Sequence, residues 1–263
     1  MFTHSIKLKK PDGYTVSAIE KVPEDPRGIV IAVHGFSSSK ECPTFQVLLD
    51  RLPAAGYGMI GIDLPGHGTE ESAEEPLRIE GCLNSIRAAE EHARRILPDK
   101  EICYFASSFG AYNTALYISR REHAGRRAFF RSAAVNMPSL FIKEHPTEKE
   151  LQMMSDLEEK GYFVTGIELG KPVKVTREMY HDLETTDLFD EFRPQAFGRH
   201  LIAMAHGAED EIIDPNEARR FSERFHIPAV FFEGEGHSLS NDPQTPYRVA
   251  ELAVRLYGQP LVR

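Results

Sequence analysis

The chain has 263 residues, 41% of them hydrophobic and 27% charged, enough for one large α/β domain with a well-buried core. Its formal net charge of −9 argues against a general affinity for nucleic acid or anionic membrane surfaces. No stretch approaches the roughly 20 apolar residues needed to span a bilayer. The segment Met1–Lys10 lacks the apolar run of a secretory signal. Cys42, Cys82 and Cys103 are an odd set without paired or metal-type spacing, so they read as reduced thiols and a cytoplasmic location is expected. No internal repeat or low-complexity segment stands out.

Strand and helix patterns alternate along most of the chain, which predicts a largely parallel sheet covered on both faces. Ser5–Lys9 and Tyr14–Val22 flank Pro11-Asp12-Gly13 and read as an antiparallel hairpin. Gly28–Val33 is a continuous β-branched run of the kind buried on both faces, and it ends in His34-Gly35-Phe36. Thr44–Ala55 carries Phe45, Leu48, Leu49 and Leu52 at helical spacing, and Gly56 stops it. The strand Tyr57–Asp63 runs into Leu64-Pro65-Gly66-His67-Gly68, and a helix over Leu77–Leu97 follows.

Glu101–Ser107 reads as a short apolar strand, Ser108 as a cramped turn, and the residues to about Arg121 as a helix. Another strand is expected over Ala128–Val135. The alternation breaks between Met137 and Pro194, which reads as an inserted lid. There Thr147 and Glu150 form a capping box for a helix bearing Leu151, Met154 and Leu157, terminated by Gly161. Tyr162–Leu169 and Pro172–Thr176 read as short strands, and Glu178–Phe192 as mixed and aromatic-rich. Alternation resumes with the strand His200–Ala205, the helix Pro215–Phe225, the strand Ala229–Phe232 and the helix Pro246–Tyr257.

A serine on a tight strand-to-helix turn projects its hydroxyl clear of the backbone. The turn around Ser108 approaches G-x-S-x-G, with Ala106 where the first glycine is expected and Gly110 at the second. Ser107 is the rival nucleophile but does not lie two residues before Gly110, and it reads as a packing residue. Loops leaving the carboxyl ends of parallel strands gather on one edge. That brings Ser108 together with His206-Gly207-Ala208-Glu209-Asp210 and Glu233-Gly234-Glu235-Gly236-His237. A serine hydroxyl needs a base, which His237 can supply while Asp210 fixes its tautomer. Glu209 and Asp214 are competing acids; Asp214 before Pro215 suits a helix N-cap instead. His34 is expected to hold its loop by hydrogen bonds, His67 and Asp63 to brace their own turn, and His206 to pack at a strand end. No metal-site spacing or phosphate-binding glycine fingerprint is present, so no metal and no cofactor are expected.

Four features together resemble the α/β-hydrolase family: His34-Gly35-Phe36, Asp63–Gly68, the Ser108 turn, and the acid and histidine loops. The order serine, acid, histidine is that of the family. The resemblance covers essentially the whole chain. It implies a core of residues 1–136 and 195–263 with a lid at 137–194, and an oxyanion hole formed by the backbone N–H groups of Phe36 and Phe109. Phe36 and Phe109 are also expected to line an apolar acyl pocket, with Phe141, Tyr162 and Tyr180 among the lid aromatics that shape it. Phe163, Phe189 and Phe192 are expected to share in that role or to bury the lid against the core. The lid is similar to those of cinnamoyl or feruloyl esterases, while monoacylglycerol lipases and serine aminopeptidases use the same scaffold with other caps.

The expected activity is that of a serine carboxylesterase acting on small to medium acyl or aromatic esters through an acyl-enzyme. A peptidase or amidase on the same triad is the alternative, and a non-catalytic hydrolase-fold binding protein is a third reading. The expected partner is a small-molecule ester, and exposed lid aromatics could equally serve a homodimer contact.

Overall fold

The computed structural model describes residues 2–68, 70–141, 145–167, 171–193 and 201–260, with the side chain of Phe141 outside that description. The first half of the chain forms β1 (His4–Lys9), β2 (Thr15–Lys21), β3 (Gly28–Val33), α1 (Pro43–Ala54), β4 (Tyr57–Ile62), α2 (Glu71–Glu74), α3 (Ile79–Ile96), β5 (Glu101–Ser107), α4 (Phe109–Arg120) and β6 (Gly125–Arg131). Then follow α5 (Met137–Phe141), α6 (Glu148–Lys160), β7 (Tyr162–Thr165), β8 (Val173–Thr176), α7 (Arg177–Thr185) and α8 (Leu188–Glu191). The chain closes with β9 (Ile202–Gly207), α9 (Pro215–Arg224), β10 (Ala229–Phe232) and α10 (Thr245–Tyr257).

Eight strands form one sheet in the order β1-β2-β4-β3-β5-β6-β9-β10. The hairpin β1–β2 and the β2–β4 pair are antiparallel, and every pair from β4 through β3, β5, β6 and β9 to β10 is parallel. Alternate residues of a strand point to opposite faces. In β3, Ile29, Ile31 and Val33 enter one core with α3 and α4, while Val30 and Ala32 enter a second with α1 and α10. A strand apolar at every position thus serves two cores at once, each buried aliphatic side chain contributing about 2 kcal/mol. This is the α/β-hydrolase fold that the sequence resembles.

The parallel strands end in register, Val33 beside Ala106, Ser107 beside Arg131 and Arg131 beside Ala205. Their carboxyl ends therefore make one continuous edge. Helix α4 starts directly against that edge, and a side chain at Gly110 would collide with the carbonyl oxygens of His34 and Val33. Ala106, at the place of the missing first glycine, is fully buried in the sheet.

Three strands differ from the sequence reading by two residues or more at an end; β7 stops at Thr165 rather than at Leu169, which lies outside the described residues. Strand β6 lies earlier than Ala128–Val135, because pairing with β5 recruits Gly125 while Ser132, at φ 46°, turns the chain out of the sheet. The apolar run Ala133–Val135 is buried as a loop instead. Strand β9 extends to Gly207 because His206 and Gly207 pair with Phe231 and Phe232; His200, the expected start, lies outside the described residues.

Between β6 and β9 the chain departs from the sheet. Helix α6 begins with the reciprocal Thr147–Glu150 capping box and ends at Gly161 in a left-handed conformation, both as expected. Of the apolar residues it bears, Leu151 and Met154 are 53% and 45% exposed. Strands β7 and β8 form a separate antiparallel hairpin. Phe163, Val173, Val175, Met179, Leu183, Phe189 and Phe192 are buried in the same core as α3 and α4. Polar ties reinforce this seating, with Arg78 donating to both Asp182 oxygens at 2.8 and 3.1 Å and the Tyr112 hydroxyl donating to Thr186 O at 3.0 Å. The loop after β7 comes close to the core at Gly166 (φ 74°), where a side chain would strike Ser37.

Candidate active site

Ser108 lies between the last residue of β5 and the first of α4 with φ 52° and ψ −117°. A non-glycine residue there carries about 1–3 kcal/mol of backbone strain, which persists only where the surroundings over-determine it. They do so here. Ser108 N donates to Arg131 O at 2.8 Å, and Ser108 O accepts from Ala111 N and Tyr112 N at 3.0 and 3.1 Å. The side chain is left facing the sheet edge, where its Oγ lies 3.0 Å from His237 Nε2.

His237 follows β10, and its own carbonyl accepts from the Ser132 hydroxyl at 2.8 Å. Its Nδ1 lies 2.8 Å from Asp210 Oδ2. Asp210 receives more than this one bond. His206 Nε2 stands 3.0 Å from the same Oδ2, and Oδ1 accepts from Ile212 N and Ile213 N, each at 2.9 Å. Burial alone would raise this carboxyl; the bonds from His206 and His237, with the charge of His237 and the Ile213 N–H, hold it well below the usual carboxylate range. Asp214 caps α9 by accepting from Asn216 N at 2.9 Å, which removes it as a rival acid.

The loop after β3 packs beside this row. The Phe36 and Phe109 rings meet edge-to-face at 5.4 Å between centroids. Phe109 occupies the first turn of α4, where backbone N–H groups have no acceptor within the helix. His34 fixes the loop as expected, its Nδ1 lying 2.7 Å from Gly35 O while Nε2 accepts from Leu64 N at 3.1 Å. Asp63 does not merely brace its own turn. It accepts from Lys40 N at 2.6 Å and from Lys40 Nζ at 3.0 Å, joining the β4 loop to the β3 loop.

His67 is buried with Nδ1 2.8 Å from Pro65 O and its ring packed between Phe36 and Phe109. Burial pushes its pKa down to about 4, and burial likewise pushes His34 well below its ordinary value. Both are neutral in the folded protein but take up a proton on unfolding below about pH 6.5. Stability from these two groups is therefore complete near neutral pH and lost as pH falls below 6.5, for His67 down to about 4. Each contributes on the order of 1 kcal/mol per pH unit over that window. Urea titrations at pH 7, 6 and 5 should show this slope, and His67→Phe should remove about half of it.

A cavity of ≈ 330 Å³ opens beside Ser108, its lining including Phe36, Pro43, Val47 and Pro246 together with serine and threonine hydroxyl groups and Arg131. The expected apolar pocket thus has a largely apolar lining that also holds Arg131 and several hydroxyl groups. Phe36 lines it; Phe109 lies behind, fully covered and stacked against Tyr112. Neither Tyr162 nor Tyr180 is among its lining residues. Tyr162 carries Lys174 Nζ over its ring at 3.9 Å, and Tyr180 is half-buried against the core. The Phe141 side chain lies outside the described residues. Among the described residues no group of three or more His, Cys, Asp or Glu could hold a metal ion, and no helix is long and apolar enough to cross a membrane.

The family model described as serine aminopeptidase, S33, matches residues 24–163, more than half of the chain. The chain belongs to this family of α/β serine hydrolases. Solved structures share the hydrolase's fold at low identity. Est1E from Butyrivibrio proteoclasticus, with ferulic acid bound, is 16% identical with a TM-score of 0.76, covering 97% of this chain and 100% of that one. The esterase domain of a Rhodothermus marinus protein is 17% identical with a TM-score of 0.68, covering 97% and 99%. XC6422 from Xanthomonas campestris, described as a serine hydrolase without a lid, is 15% identical with a TM-score of 0.67, covering 98% and 97%. No curated protein matches the chain.

Three residues of the hydrolase's site escape a reading of the sequence. His206 packs at the end of β9 as expected, against Phe231, and in addition lies 3.0 Å from Asp210 Oδ2, for which its position four residues earlier on the same turn is the only signal. Arg131 looks like a surface cation, but β6 lies between β5 and β9 and so carries it to the middle of the edge. Glu235 is buried and accepts from Asn241 N and Asp242 N, both at 2.9 Å, shaping the turn after His237.

Proposed function

We propose that the hydrolase is a serine carboxylesterase acting through an acyl-enzyme on small to medium esters, aromatic ones included. The observation that carries this reading is the unbroken chain Ser108 Oγ, His237 Nε2, His237 Nδ1, Asp210 Oδ2, with steps of 3.0 and 2.8 Å, at a strained strand-to-helix turn. Ser108 Oγ attacks the ester carbonyl while His237 takes its proton, and Asp210 holds the tautomer and stabilises the imidazolium. The N–H groups of Phe36 and Phe109 receive the oxyanion, donors of this kind each contributing about 3 kcal/mol. His237 then protonates the departing alcohol, and water releases the acyl group by the same steps in reverse.

In this reading residues 137–194 act as a lid. Of the aromatics proposed for substrate contact, Tyr162 and Tyr180 stand outside the lining of the cavity beside Ser108 and would meet only the part of a substrate that extends beyond it. The Phe141 side chain and residue 194 lie outside the described residues. Est1E binds ferulic acid, which fits an aromatic acyl group entering beneath such a lid.

The family description favours a second reading, aminopeptidase activity on the same triad. An aminopeptidase must receive a substrate ammonium, for which a carboxylate in the cavity is the natural partner. The cavity beside Ser108 has no Asp or Glu among its lining residues and has Arg131 instead, so ester hydrolysis is favoured.

Two measurements test this reading. A fluorophosphonate probe should label Ser108, located by peptide mapping, and p-nitrophenyl butyrate should be turned over at least a hundredfold faster than alanyl or prolyl p-nitroanilide. Faster anilide turnover would establish the peptidase, and absence of labelling would establish a binding protein.

A further inference from the structure

Arg131 is 7% exposed, yet it forms a wall of the cavity that holds Ser108. A guanidinium has five N–H donors and no acceptor. Here Nη1 donates to Ser107 Oγ at 2.8 Å and Nη2 to the backbone carbonyl of Ser238. Among the described residues no carboxylate is within ion-pair distance of it. Besides the Cys42 thiol, whose pKa burial raises, the acids whose charge reaches it are Asp210 and Glu235, and both are engaged elsewhere. Asp210 is saturated by two histidines and two backbone N–H groups, and Glu235 by the N–H groups of Asn241 and Asp242.

A buried cation without an anion is costly and is normally paired. The cavity around this one offers hydroxyl groups from Ser37, Ser38, Thr44 and Ser238, the last accepting from Ser240 Oγ at 2.8 Å and so left free to donate, and no competing carboxylate. A carboxylate fits the planar guanidinium fork. The volume of ≈ 330 Å³ suits a short chain, near the lower end of the usual range for ligand pockets.

We infer that the substrate is an ester bearing a carboxylate a few bonds from the scissile carbonyl, and that Arg131 receives this carboxylate. The inference rests on the esterase reading and narrows it to an acidic substrate class. Arg131 also spans the site, because Ser107 precedes Ser108 and Ser238 follows His237. Its replacement therefore slows every substrate, and the informative quantity is the ratio between a charged and an uncharged one.

Mono-p-nitrophenyl succinate and p-nitrophenyl butyrate have acyl groups of nearly equal size that differ by one negative charge. In the wild-type protein kcat/KM should be at least tenfold higher for the succinate ester, and Arg131→Met should bring the ratio to one or below. Arg131→Lys should retain part of it. Equal rates in the wild type, or an unchanged ratio in Arg131→Met, would overturn the inference. Should the variants fail to fold, wild-type inhibition decides: succinate should compete with p-nitrophenyl butyrate and the uncharged succinamide should not. Equal inhibition by the two would also overturn it, whereas stronger inhibition by inorganic phosphate than by succinate would show a phosphate site in place of a carboxylate site. Calorimetric titration with succinate is independent of turnover. Binding to the wild type supports the site even where neither ester is hydrolysed and only the esterase reading fails; no binding overturns the site even where both esters are cleaved.

Discussion

Ser108→Ala should lower kcat for p-nitrophenyl butyrate by at least about 10⁴-fold, since loss of a triad serine leaves only binding and oxyanion stabilisation. The fold should survive, because no hydrogen bond of the Ser108 backbone depends on its hydroxyl. Ser107→Ala should cost far less, as its hydroxyl faces Arg131. Ser108→Gly separates the two roles of the residue further. Glycine adopts φ 52° without the strain that serine bears, so this variant should be as inactive as Ser108→Ala yet more stable by about 1 kcal/mol, a shift of roughly 2 °C by calorimetry. Ester hydrolysis retained in Ser108→Ala would remove the serine from the mechanism.

Asp210→Asn should be nearly as severe, with kcat reduced by about 10⁴-fold through the wrong His237 tautomer. This site predicts an additional cost. The ionised carboxylate accepts from His237, His206, Ile212 N and Ile213 N together. An amide replaces one accepting oxygen by a donor, so whichever way it turns it faces two donors. Stability should fall by about 1–3 kcal/mol as well, seen as a lower urea midpoint. His206→Phe should leave the bond between His237 and Asp210 in place and give a much smaller loss of turnover. If Asp210→Asn lost less than tenfold in kcat, the acid would have to be sought elsewhere, beginning with Glu209.

Much of this architecture is legible in the sequence because the sheet is parallel and central. Gly28–Val33 is apolar at every position, which only a strand between two helical layers requires, and such strands place their following loops on one edge. The serine, acid and histidine loops could therefore be brought together without knowing a single contact. The gaps lie where pairing rather than pattern decides. Arg131 is an ordinary basic residue in sequence, and only the position of β6 between β5 and β9 turns it into a buried cation. Strand β6 was expected too late because Ala133–Val135 is as apolar as a strand, and nothing in its letters reveals the turn at Ser132. Leu151 and Met154 have helical spacing and yet face outward, since periodicity identifies an apolar side but not whether anything covers it.

The seam between the β7–β8 hairpin and the core bears on how this protein could be engineered. Gly166 lies against Ser37, and Ser37 follows Phe36, whose N–H is proposed to receive the oxyanion. A segment transplanted from another hydrolase would have to bring a glycine in the same left-handed conformation to this point. Otherwise its side chain would displace the oxyanion loop, and a graft meant to alter selectivity would slow the chemistry itself.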